Sequence, residues 1–450
     1  MKKEFPQEFV KRMYNQLGAE AEEFFNALSD PSPTSIRLNH KKGEASFSGL
    51  DKVPWCDEGY YLPNRPAFHL DPFWHGGAYY VQEASSMILD AVLNQIITNS
   101  DPKTWLDVCA APGGKTGILA KHLGPHDILI ANEVVSQRRS VLRENLYKAG
   151  YLNTFITAEQ PSSFKEPFVD IMLIDAPCAG EGMMRKEPEA IKQWSPSLVR
   201  ECSLMQQRIV HSAIRALRPG GILIYSTCSY SKAENIENVR EFGEKFPLTS
   251  MPLEFPADWK IKEVVDKGVT GYQLYPHNVK GEGLFFAVLQ NQSQQDEVQH
   301  RVRKQTSAFA LLPTWLNNHL AQPEMWRLRK ESVSNEFIHV DAEEKANDLL
   351  TRFPRAELVA EAGQLKGKDF IPSHFLAMAN LYASSQNKIE LDLDKSLDYL
   401  ERNTNTLPVV DENGWYLIFF QNTCIGWAKS TSQGWKNHYP LHWRLRSRKM

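Results

Sequence analysis

Two cysteines follow apolar runs that have the character of buried strands. Residues 171–182 read IMLIDAPCAGEG and place Asp175 and Cys178 just after the apolar segment. Residues 221–230 read GILIYSTCSY, and Cys228 follows that run in the same way. Reactive side chains of open α/β sheets gather beyond the carboxyl ends of the strands, so this spacing predicts one cleft that contains both thiols. The alternative is a pair of inert buried thiols, because free cysteine is among the most buried residue types.

A third apolar strand runs into a loop of small residues. Residues 104–116 read TWLDVCAAPGGKT, and a helix is expected to begin near Lys115. Backbone N–H groups of such a loop can approach a ligand at the start of the helix. A P-loop needs glycine at the position of Cys109, and the spacing G-x-G-x-x-G is absent here. The ligand is therefore expected to be neither a nucleoside triphosphate nor a nicotinamide dinucleotide.

Strand and helix patterns alternate between residues 102 and 289, and this alternation predicts a doubly wound, mostly parallel sheet. The predicted strands are 104–109, 127–132, 153–157, 169–174 and 221–226, with closing strands near 271–275 and 284–289. The predicted helices are 115–123, 136–149, 197–217 and 232–245.

The three strand ends together resemble the RNA cytosine-5 methyltransferases, which use S-adenosylmethionine. The motifs are CAAPGGKT from Cys109, DAPC with GEG from Asp175, and STCSY with AENIENV from Ser226. Segments near both ends, FPQEFVKRMYNQLGAEAEEFF and KNHYPLHWRLR, resemble the bacterial RsmF type, which modifies small-subunit ribosomal RNA. The resemblance implies an α/β fold: a Rossmann-like methyltransferase domain with one antiparallel strand near its edge, an N-terminal α+β lobe and a C-terminal PUA-like RNA-binding domain.

The resemblance also implies roles. Cys228 is the nucleophile that adds to carbon 6 of cytosine and thereby activates carbon 5, and Cys178 assists release; chemistry alone does not choose between the two thiols. Asp175 is expected to hydrogen-bond the ring, and Lys115 to lower a thiol pKa or to orient Asp175, unless it is a solvated helix-start lysine. The target base must be unpaired or flipped out. The expected cofactor-binding residues are Cys109, Ala110, Ala111, Pro112, Gly113, Gly114, Lys115, Glu133, Gln160 and Asp175.

Two of these residues stand at the ends of the second and third strands. Glu133 follows the second strand, where an acid of Rossmann-like sheets accepts hydrogen bonds from ribose hydroxyls. Its alternative is an ordinary acid at a helix start. The third strand end departs from the family, because Gln160 stands where an aspartate is usual. The carbonyl oxygen of Gln160 is the group expected to contact the adenine amine.

The C-terminal segment is basic and aromatic. No acid follows Glu412, and Lys429, Lys436, Arg444 and Arg446 alternate with tryptophan and tyrosine. Basic residues among aromatics favour contact with an RNA backbone together with stacking on bases, so these four are expected to bind RNA. The alternative is a solvated basic tail on a small core.

Composition narrows the class of protein. The chain has 450 residues, 42% of them hydrophobic and 23% charged, which is typical of an ordinary globular protein. Its net charge of −3 argues against a protein that is basic throughout, so nucleic-acid binding must come from local patches. No apolar run approaches 18 residues, so we expect a cytoplasmic protein without membrane contact. The six cysteines contain no C-x-x-C pair, so neither a disulfide framework nor a metal site is expected. We expect a monomer.

Composition shifts divide the chain into four predicted regions: 1–100, an N-terminal lobe; 101–290, the catalytic domain; 291–385, a linker and connecting subdomain; and 386–450, the PUA-like domain. Within them the patterns predict an N-terminal helical segment over 5–28 and strands at 35–39 and 45–53. They also predict a capped helix over 373–383, a helix over 395–401, and strands TLPVV, GWYLIFF and CIGWAK.

Two alternatives remain for the function. The first keeps the chemistry and changes the substrate to transfer RNA. The second is a non-catalytic RNA-binding assembly factor with a degenerate methyltransferase fold, although a pure binder needs neither Cys178 nor Cys228. The residues do not name the target nucleotide.

Overall fold

The computed structural model describes residues 3–42, 49–294, 307–330, 335–367 and 369–448. Its N-terminal part pairs two helices with a small antiparallel sheet of order β2-β1-β3. Phe9, Met13 and Leu17 recur every four residues along the first helix and are buried, which fixes the face that packs. The elements are α1 Gln7–Leu17, α2 Ala21–Ser29, β1 Thr34–Leu38, β2 Gly59–Leu62, α3 Pro72–His75, β3 Tyr79–Val81 and α4 Ile88–Ile96.

The strand predicted at 45–53 is not formed where it can be seen. Residues 45–48 lie outside the described residues, and of the remainder Lys52 makes only an isolated bridge to Tyr60. The edge position beside β1 is taken by β3 instead, which pairs with residues 36–38.

The catalytic region alternates strand and helix as the sequence predicts. The apolar runs become buried strands because helices cover both faces of a parallel sheet. Its elements are β4 Thr104–Asp107, α5 Gly114–Lys121, β5 Ile128–Asn132, α6 Ser136–Ala149, β6 Thr154–Thr157, β7 Val169–Asp175, α7 Pro188–Gln193, α8 Pro196–Ala213, β8 Leu217–Thr227, α9 Ile236–Lys245, β9 Leu248–Ser250, β10 Lys262–Asp266, β11 Val269–Leu274 and β12 Leu284–Asn291.

The sheet is larger and more mixed than predicted. Its order is β10-β11-β12-β8-β7-β4-β5-β6-β16, with β9 pairing to β12. The five strands from β8 to β6 are parallel, whereas β12, β11 and β10 form an antiparallel meander beyond β8. The resemblance predicts one antiparallel strand near the edge, whereas the sheet has three in succession at this edge. The hairpin of β10 and β11 adds two antiparallel strands beyond β12. The short strand Glu357–Leu358 also pairs antiparallel to β6 at the opposite edge.

The connecting region has its own antiparallel sheet of order β13-β14-β15-β17-β18. Its elements are β13 Ala310–Leu311, α10 Thr314–Asn317, β14 Trp326–Lys330, β15 Asn335–His339, α11 Glu343–Arg352, β16 Glu357–Leu358, β17 Glu361–Lys366, β18 Asp369–Pro372 and α12 His374–Met378. Ser373 caps α12 by accepting from the Leu376 N–H, as predicted. The helix is shorter than the predicted 373–383, because Asn380 adopts a positive φ of 55° that ends it.

The C-terminal region is a sheet of order β19-β20-β21-β22 with one helix. Its elements are β19 Asn387–Glu390, α13 Leu393–Leu400, β20 Gly414–Phe420, β21 Thr423–Thr431 and β22 Gly434–Asn437. The predicted strand TLPVV is wrong. Pro408 lacks an N–H to donate to a sheet, and Val409 is 98% exposed, so the segment is a loop.

This C-terminal region packs against the remainder of the chain. The Lys148 ammonium of α6 lies 4.2 Å from the ring centre of Trp74 and 4.8 Å from that of Trp443. The Tyr439 hydroxyl is 2.7 Å from Nδ1 of His75, on α3. Within the described residues, no helix is long and apolar enough to cross a membrane.

Candidate active site

Three strand ends meet at one edge of the sheet. Strands β8, β7 and β4 are parallel neighbours, so the residues that follow them share one side of the molecule. Asp175 pairs in register with Ser226, and Asp107 pairs with Leu173. The loops that carry the two cysteines and the small-residue loop therefore adjoin one another, as the apolar runs predict.

The two predicted catalytic thiols are in direct contact. Sγ of Cys178 lies 2.8 Å from Sγ of Cys228, and both cysteines are free. The Gly182 N–H donates to the Cys228 carbonyl at 2.7 Å and ties one loop to the other. The hydrogen bond to Cys228 raises the pKa of Cys178 well above its ordinary value, and burial adds to this. Cys178 therefore remains a thiol, and the 2.8 Å contact is compatible with either sulfur as the donor.

Lys115 and Asp175 form an ion pair beside these thiols. The Lys115 ammonium is 2.8 Å from Oδ2 of Asp175, with 15% of the lysine side chain and 33% of the aspartate side chain exposed. The Ser226 hydroxyl donates to the other carboxylate oxygen at 2.8 Å. Burial opposes the lysine charge, yet the carboxylate raises the pKa of Lys115 above its usual value. Lys115 is thus a charged partner that orients Asp175 and not a solvated helix-start lysine.

The loop over residues 109–115 is held from outside by α6. Arg138 donates to the Ala111 carbonyl at 2.8 Å, and the Asn145 amide donates to the Pro112 carbonyl at 2.8 Å. Gly113 has a φ of 110°, and a Cβ there would lie 3.2 Å from the Leu142 side chain, so only glycine fits without movement. Burial raises the pKa of the Cys109 thiol, so Cys109 is expected to stay protonated and to line the loop without acting as a nucleophile.

Glu133 is linked to the same loop. Its carboxylate is 3% exposed, accepts from the Val135 N–H at 2.9 Å and lies 3.3 Å from Nη1 of Arg138. Because Arg138 also bonds to Ala111, one guanidinium connects the end of β5 with the loop after β4. Glu133 and the loop after β4, both expected to bind the cofactor, are therefore neighbours in space.

A buried acid that the sequence analysis did not single out completes this edge. Asp107 ends β4 and is 1% exposed. The Thr116 hydroxyl donates to its Oδ2 at 2.7 Å, whereas its Oδ1 has no hydrogen-bond partner in the part of the chain that the structure describes. Burial raises the pKa of Asp107 to about 7. The pattern of an acid directly after a buried strand, which identified Asp175, was available here too in the letters TWLD.

These residues fit the cofactor that the motifs imply. S-adenosylmethionine carries ribose hydroxyls and an ammonium group, all of which are donors. Glu133 and the unpartnered oxygen of Asp107 are buried acceptors, and the loop over 109–115 carries small side chains up to Gly114, where the helix starts. An unpartnered buried carboxylate oxygen is costly unless a ligand donates to it.

Gln160 is placed differently from the other expected cofactor residues. It follows β6 at the same edge of the sheet, but its side chain is exposed and makes none of the hydrogen bonds found in the described part of the chain. The neighbouring strand end is organised instead by Asn132, which donates to the Val108 and Glu159 carbonyls at 3.1 and 3.0 Å. A contact between Gln160 and adenine stays a prediction.

The predicted RNA-binding residues lie in two settings. Lys436, Arg444 and Arg446 are exposed, and within the described residues none of them has an acidic partner. The Lys429 ammonium instead lies 3.3 Å from Asp369 and 5.4 Å from the ring centre of Trp415. Three of the four cations are therefore available to phosphates, and the fourth is shared with an acid of the connecting region.

One group of metal-compatible side chains lies away from this edge. Cys56, Glu58 and Asp90 converge near the N-terminal lobe. The Lys121 ammonium contacts both carboxylates, and His122 contacts Asp90 at 2.7 Å. The chain's own cations thus face the acids, and the expectation that the protein binds no metal stays a prediction.

Comparison with known protein families gives matches along most of the chain. The model for the 16S rRNA methyltransferase RsmB/F family matches residues 94–290, which include both cysteines and the loop after β4. The model for the N-terminal domain of 16S rRNA methyltransferase RsmF matches residues 5–84. The model for the methyltransferase RsmF PUA domain matches residues 386–445.

Individual relatives agree. Ribosomal RNA small subunit methyltransferase F of Erwinia tasmaniensis is 30% identical over 97% of this chain and 96% of its own, and that of Escherichia coli O81 is 29% identical over the same shares. A solved methyltransferase homolog protein from Pyrococcus horikoshii is 27% identical with a TM-score of 0.53, covering 64% of this chain and 95% of that one. NSun6 from Pyrococcus horikoshii, solved with SFG, is 20% identical with a TM-score of 0.54 over 64% of this chain and 99% of that one, and shows the shared fold alone. The chain therefore belongs to the family of RsmF-type bacterial ribosomal RNA methyltransferases.

Proposed function

We propose that the protein methylates carbon 5 of a cytosine in small-subunit ribosomal RNA through a covalent cysteine adduct. The observation that carries the proposal is the contact of the two thiols, 2.8 Å apart at the ends of adjacent parallel strands, beside the ion pair of Lys115 and Asp175. A methyltransferase that acts on nitrogen or oxygen needs no thiol at this position. Cytosine carbon 5 is a poor nucleophile, and a thiolate that adds to carbon 6 overcomes this.

Cys228 is the nucleophile in this proposal. Because the pKa of Cys178 is raised, Cys178 stays protonated when Cys228 becomes the thiolate, and its S–H can then donate to the Cys228 sulfur and stabilise it. The thiolate forms a bond to carbon 6 of the ring, and the displaced electron pair makes carbon 5 nucleophilic. After methylation, a base removes the carbon 5 proton, and the carbon–sulfur bond breaks as the ring double bond returns. The nucleophile thus ends as the thiolate with which it began.

Cys178 and Asp175 have supporting roles in this mechanism. Cys178 lies against the sulfur that must leave, so it is the group placed to assist elimination. Asp175 is partly exposed toward the cleft and is oriented by Lys115 and Ser226, which suits a hydrogen bond to the polar edge of cytosine. The charge of Lys115 balances the negative charge that accumulates when the thiolate adds.

The family uses S-adenosylmethionine, which supplies the methyl group as an electrophile when it is bound. We propose that the loop over residues 109–115, Glu133 and Asp107 hold it. Glu133 would accept from the ribose hydroxyls and Asp107 from an ammonium or hydroxyl donor. Gln160 is retained as the candidate contact to adenine.

Ribosomal RNA is the proposed substrate because the relatives that align over 97% of the chain are named ribosomal RNA small subunit methyltransferases. A PUA domain match at 386–445 supports RNA docking outside the catalytic cleft. An enzyme with this substrate works in the cytoplasm, and we propose that it acts as a monomer with the four regions assigned from the sequence. The transfer RNA alternative shares all the chemistry, so only the product distinguishes the two.

Bisulfite sequencing of total RNA from a deletion strain tests the proposal. We expect one or more small-subunit ribosomal cytosines to lose protection, and wild-type protein and the Cys202→Ala variant to restore it. Cys202 is a buried cysteine of α8 outside the reacting pair and so provides the matched control. Cys228→Ala should fail to restore protection. Loss confined to transfer RNA would replace the substrate, and unchanged RNA throughout would refute the proposed activity.

A further inference from the structure

Two buried glutamates join the loops that carry the cysteines. Glu181 and Glu234 are each 0% exposed. Both carboxylates face the hydroxyl of Ser229, the residue after Cys228, at 3.2 and 2.6 Å. Glu234 also accepts from the N–H of Ala179, the residue after Cys178, at 2.9 Å. One carboxyl group therefore contacts the neighbour of each cysteine.

The partners of Glu181 determine its charge. Oε1 accepts from Arg12 at 2.6 Å and from the Trp194 indole N–H at 2.7 Å. Oε2 accepts from the Tyr230 N–H at 2.8 Å and faces the Ser229 hydroxyl. The guanidinium, the indole N–H and the backbone N–H can only donate. Among the described residues, a proton on Glu181 would have only the Ser229 oxygen, 3.2 Å away, to donate to, whereas the ionised form accepts from all four partners. The partners therefore favour the ionised form.

The partners of Glu234 favour the protonated, neutral form. Oε2 accepts from the Ala179 N–H and from Gln206 at 3.0 Å, whose amide nitrogen is oriented by its bond to the Pro177 carbonyl at 2.9 Å. Within the described residues, the one hydrogen-bonding group that Oε1 faces is the Ser229 hydroxyl.

Ser229 has a single hydroxyl proton for two carboxylate oxygens. If both acids were ionised, one of the two oxygen pairs would face each other without a hydrogen. A proton on Oε1 of Glu234 removes this conflict, because Glu234 then donates to Ser229 and Ser229 donates to Glu181.

We propose that Glu234 in its protonated form and Glu181 in its ionised form act as positioning residues, which hold the two cysteine loops in register through Ser229. The proposal rests on the catalytic roles proposed for Cys178 and Cys228, and it adds the device that keeps their sulfurs in contact. Neither glutamate touches the reacting atoms. Arg12 extends the device to α1 of the N-terminal lobe, because it bonds to Glu181 from that helix.

The surroundings agree with a proton on Glu234. Burial, together with the nearby charge of Glu181, raises the pKa of Glu234 to about 7. The other titratable groups around it are Cys178, Cys202 and Tyr225, and the pKa of each is itself raised, mainly by burial except at Cys178, where the bond to Cys228 comes first. None of the three supplies a positive charge. Arg12, the cation of this cluster, is bonded to Glu181 instead.

The same substitution at the two acids gives opposite predicted results. Glu234→Gln places an NH₂ group where the proton is proposed, so it keeps the donor to Ser229 and the acceptor for Ala179. We expect its kcat for methyl transfer to be nearly unchanged. Glu181→Gln places an NH₂ group against groups that only donate, and we expect kcat to fall by about tenfold or more. Glu237→Gln, at an exposed acid in the first turn of α9, is the matched control.

Two further measurements make the test decisive. Glu234→Ala should lower kcat about tenfold or more with unchanged S-adenosylmethionine affinity, whereas wild-type kcat in that variant would overturn the positioning role. The midpoint of thermal unfolding should fall less for Glu234→Gln than for wild type between about pH 5 and about pH 8, because the folded protein binds the proton of Glu234 more tightly than the unfolded chain does.

Unfolding needs neither RNA nor turnover, so it tests the proton even if the proposed activity fails or the alanine variant does not fold. Equal loss of kcat in both glutamine variants, or the same pH dependence of unfolding in wild type and Glu234→Gln, would overturn the protonation assignment.

Discussion

Removal of the free cations of the C-terminal region should flatten the salt dependence of RNA binding. Lys436, Arg444 and Arg446 are exposed, and none has an acidic partner among the described residues. Truncation of residues 386–450 would be a poor test, because Trp443 packs on Tyr147 and Lys148 of the catalytic region. Loss of that packing would change folding and RNA binding together. Substitution of the three cations to alanine leaves the packing in place.

The size of the effect follows from the number of free cations. If each of the three contacts one phosphate, each adds about 0.7 to 0.9 to the slope of log affinity against log salt, so the triple variant should lose about 2 to 3 from the slope. The slope is measured by fluorescence anisotropy with a small-subunit ribosomal RNA fragment over a potassium chloride series. S-adenosylmethionine affinity should stay the same, because the three residues lie outside the catalytic edge.

A second triple variant separates specific contacts from net charge. Lys395, Lys429 and Arg448 belong to the same region, and each already contacts an acid. Their replacement removes the same total charge. Because these cations are already paired with acids, they release few counterions when RNA binds, so the slope should change less than in the first triple variant. Equal slopes in wild type and the free-cation variant would refute the assignment and direct attention to the N-terminal lobe. The basic residues at 327–330 in the connecting region are a weaker candidate for RNA binding, because the two arginines among them, Arg327 and Arg329, pair with Glu343 and Glu336.

Further expected outcomes concern the catalytic edge. Cys228→Ala should lower methyl transfer at least about a thousandfold while S-adenosylmethionine binding measured by calorimetry stays nearly intact. Cys178→Ala should accumulate an RNA adduct on Cys228 that survives denaturing electrophoresis, and an adduct in Cys228→Ala instead would reverse the two roles. Glu133→Ala should weaken S-adenosylmethionine binding by about tenfold to a hundredfold, again by calorimetry. Asp107 has its pKa raised to about 7, so its contribution to unfolding free energy, on the order of a few kcal/mol, is lost as pH rises from about 4 through 7; urea unfolding of Asp107→Asn at both ends of that range should show a smaller difference than wild type.

The sheet could be predicted from sequence because buried parallel strands leave a simple record. The run before Asp175 and the run before Cys228 are apolar on both faces, so their lengths and their carboxyl ends are visible in the letters. The early start of β8 at Leu217 could not be seen, because the residues RPGG that follow Leu217, with Gly220 at a φ of 77°, interrupt the apolar pattern inside the strand. The prediction of a strand at TLPVV failed because the segment has β propensity but, among the described residues, no partner strand to pair with.

The chemistry of the site was only partly visible, because residue type gives the groups and not their protons. The motifs supply two cysteines and several acids, but the 2.8 Å contact of the thiols and the raised pKa of Cys178 appear only in the folded chain. In the same way Glu181 and Glu234 are the same residue type with different proposed protonation states, and the donors around each distinguish them. Those donors are brought there by long-range contacts, such as Arg12 reaching Glu181 across 169 positions of sequence. A protonation pattern of this kind is thus a property of the folded chain and not of the residue types alone.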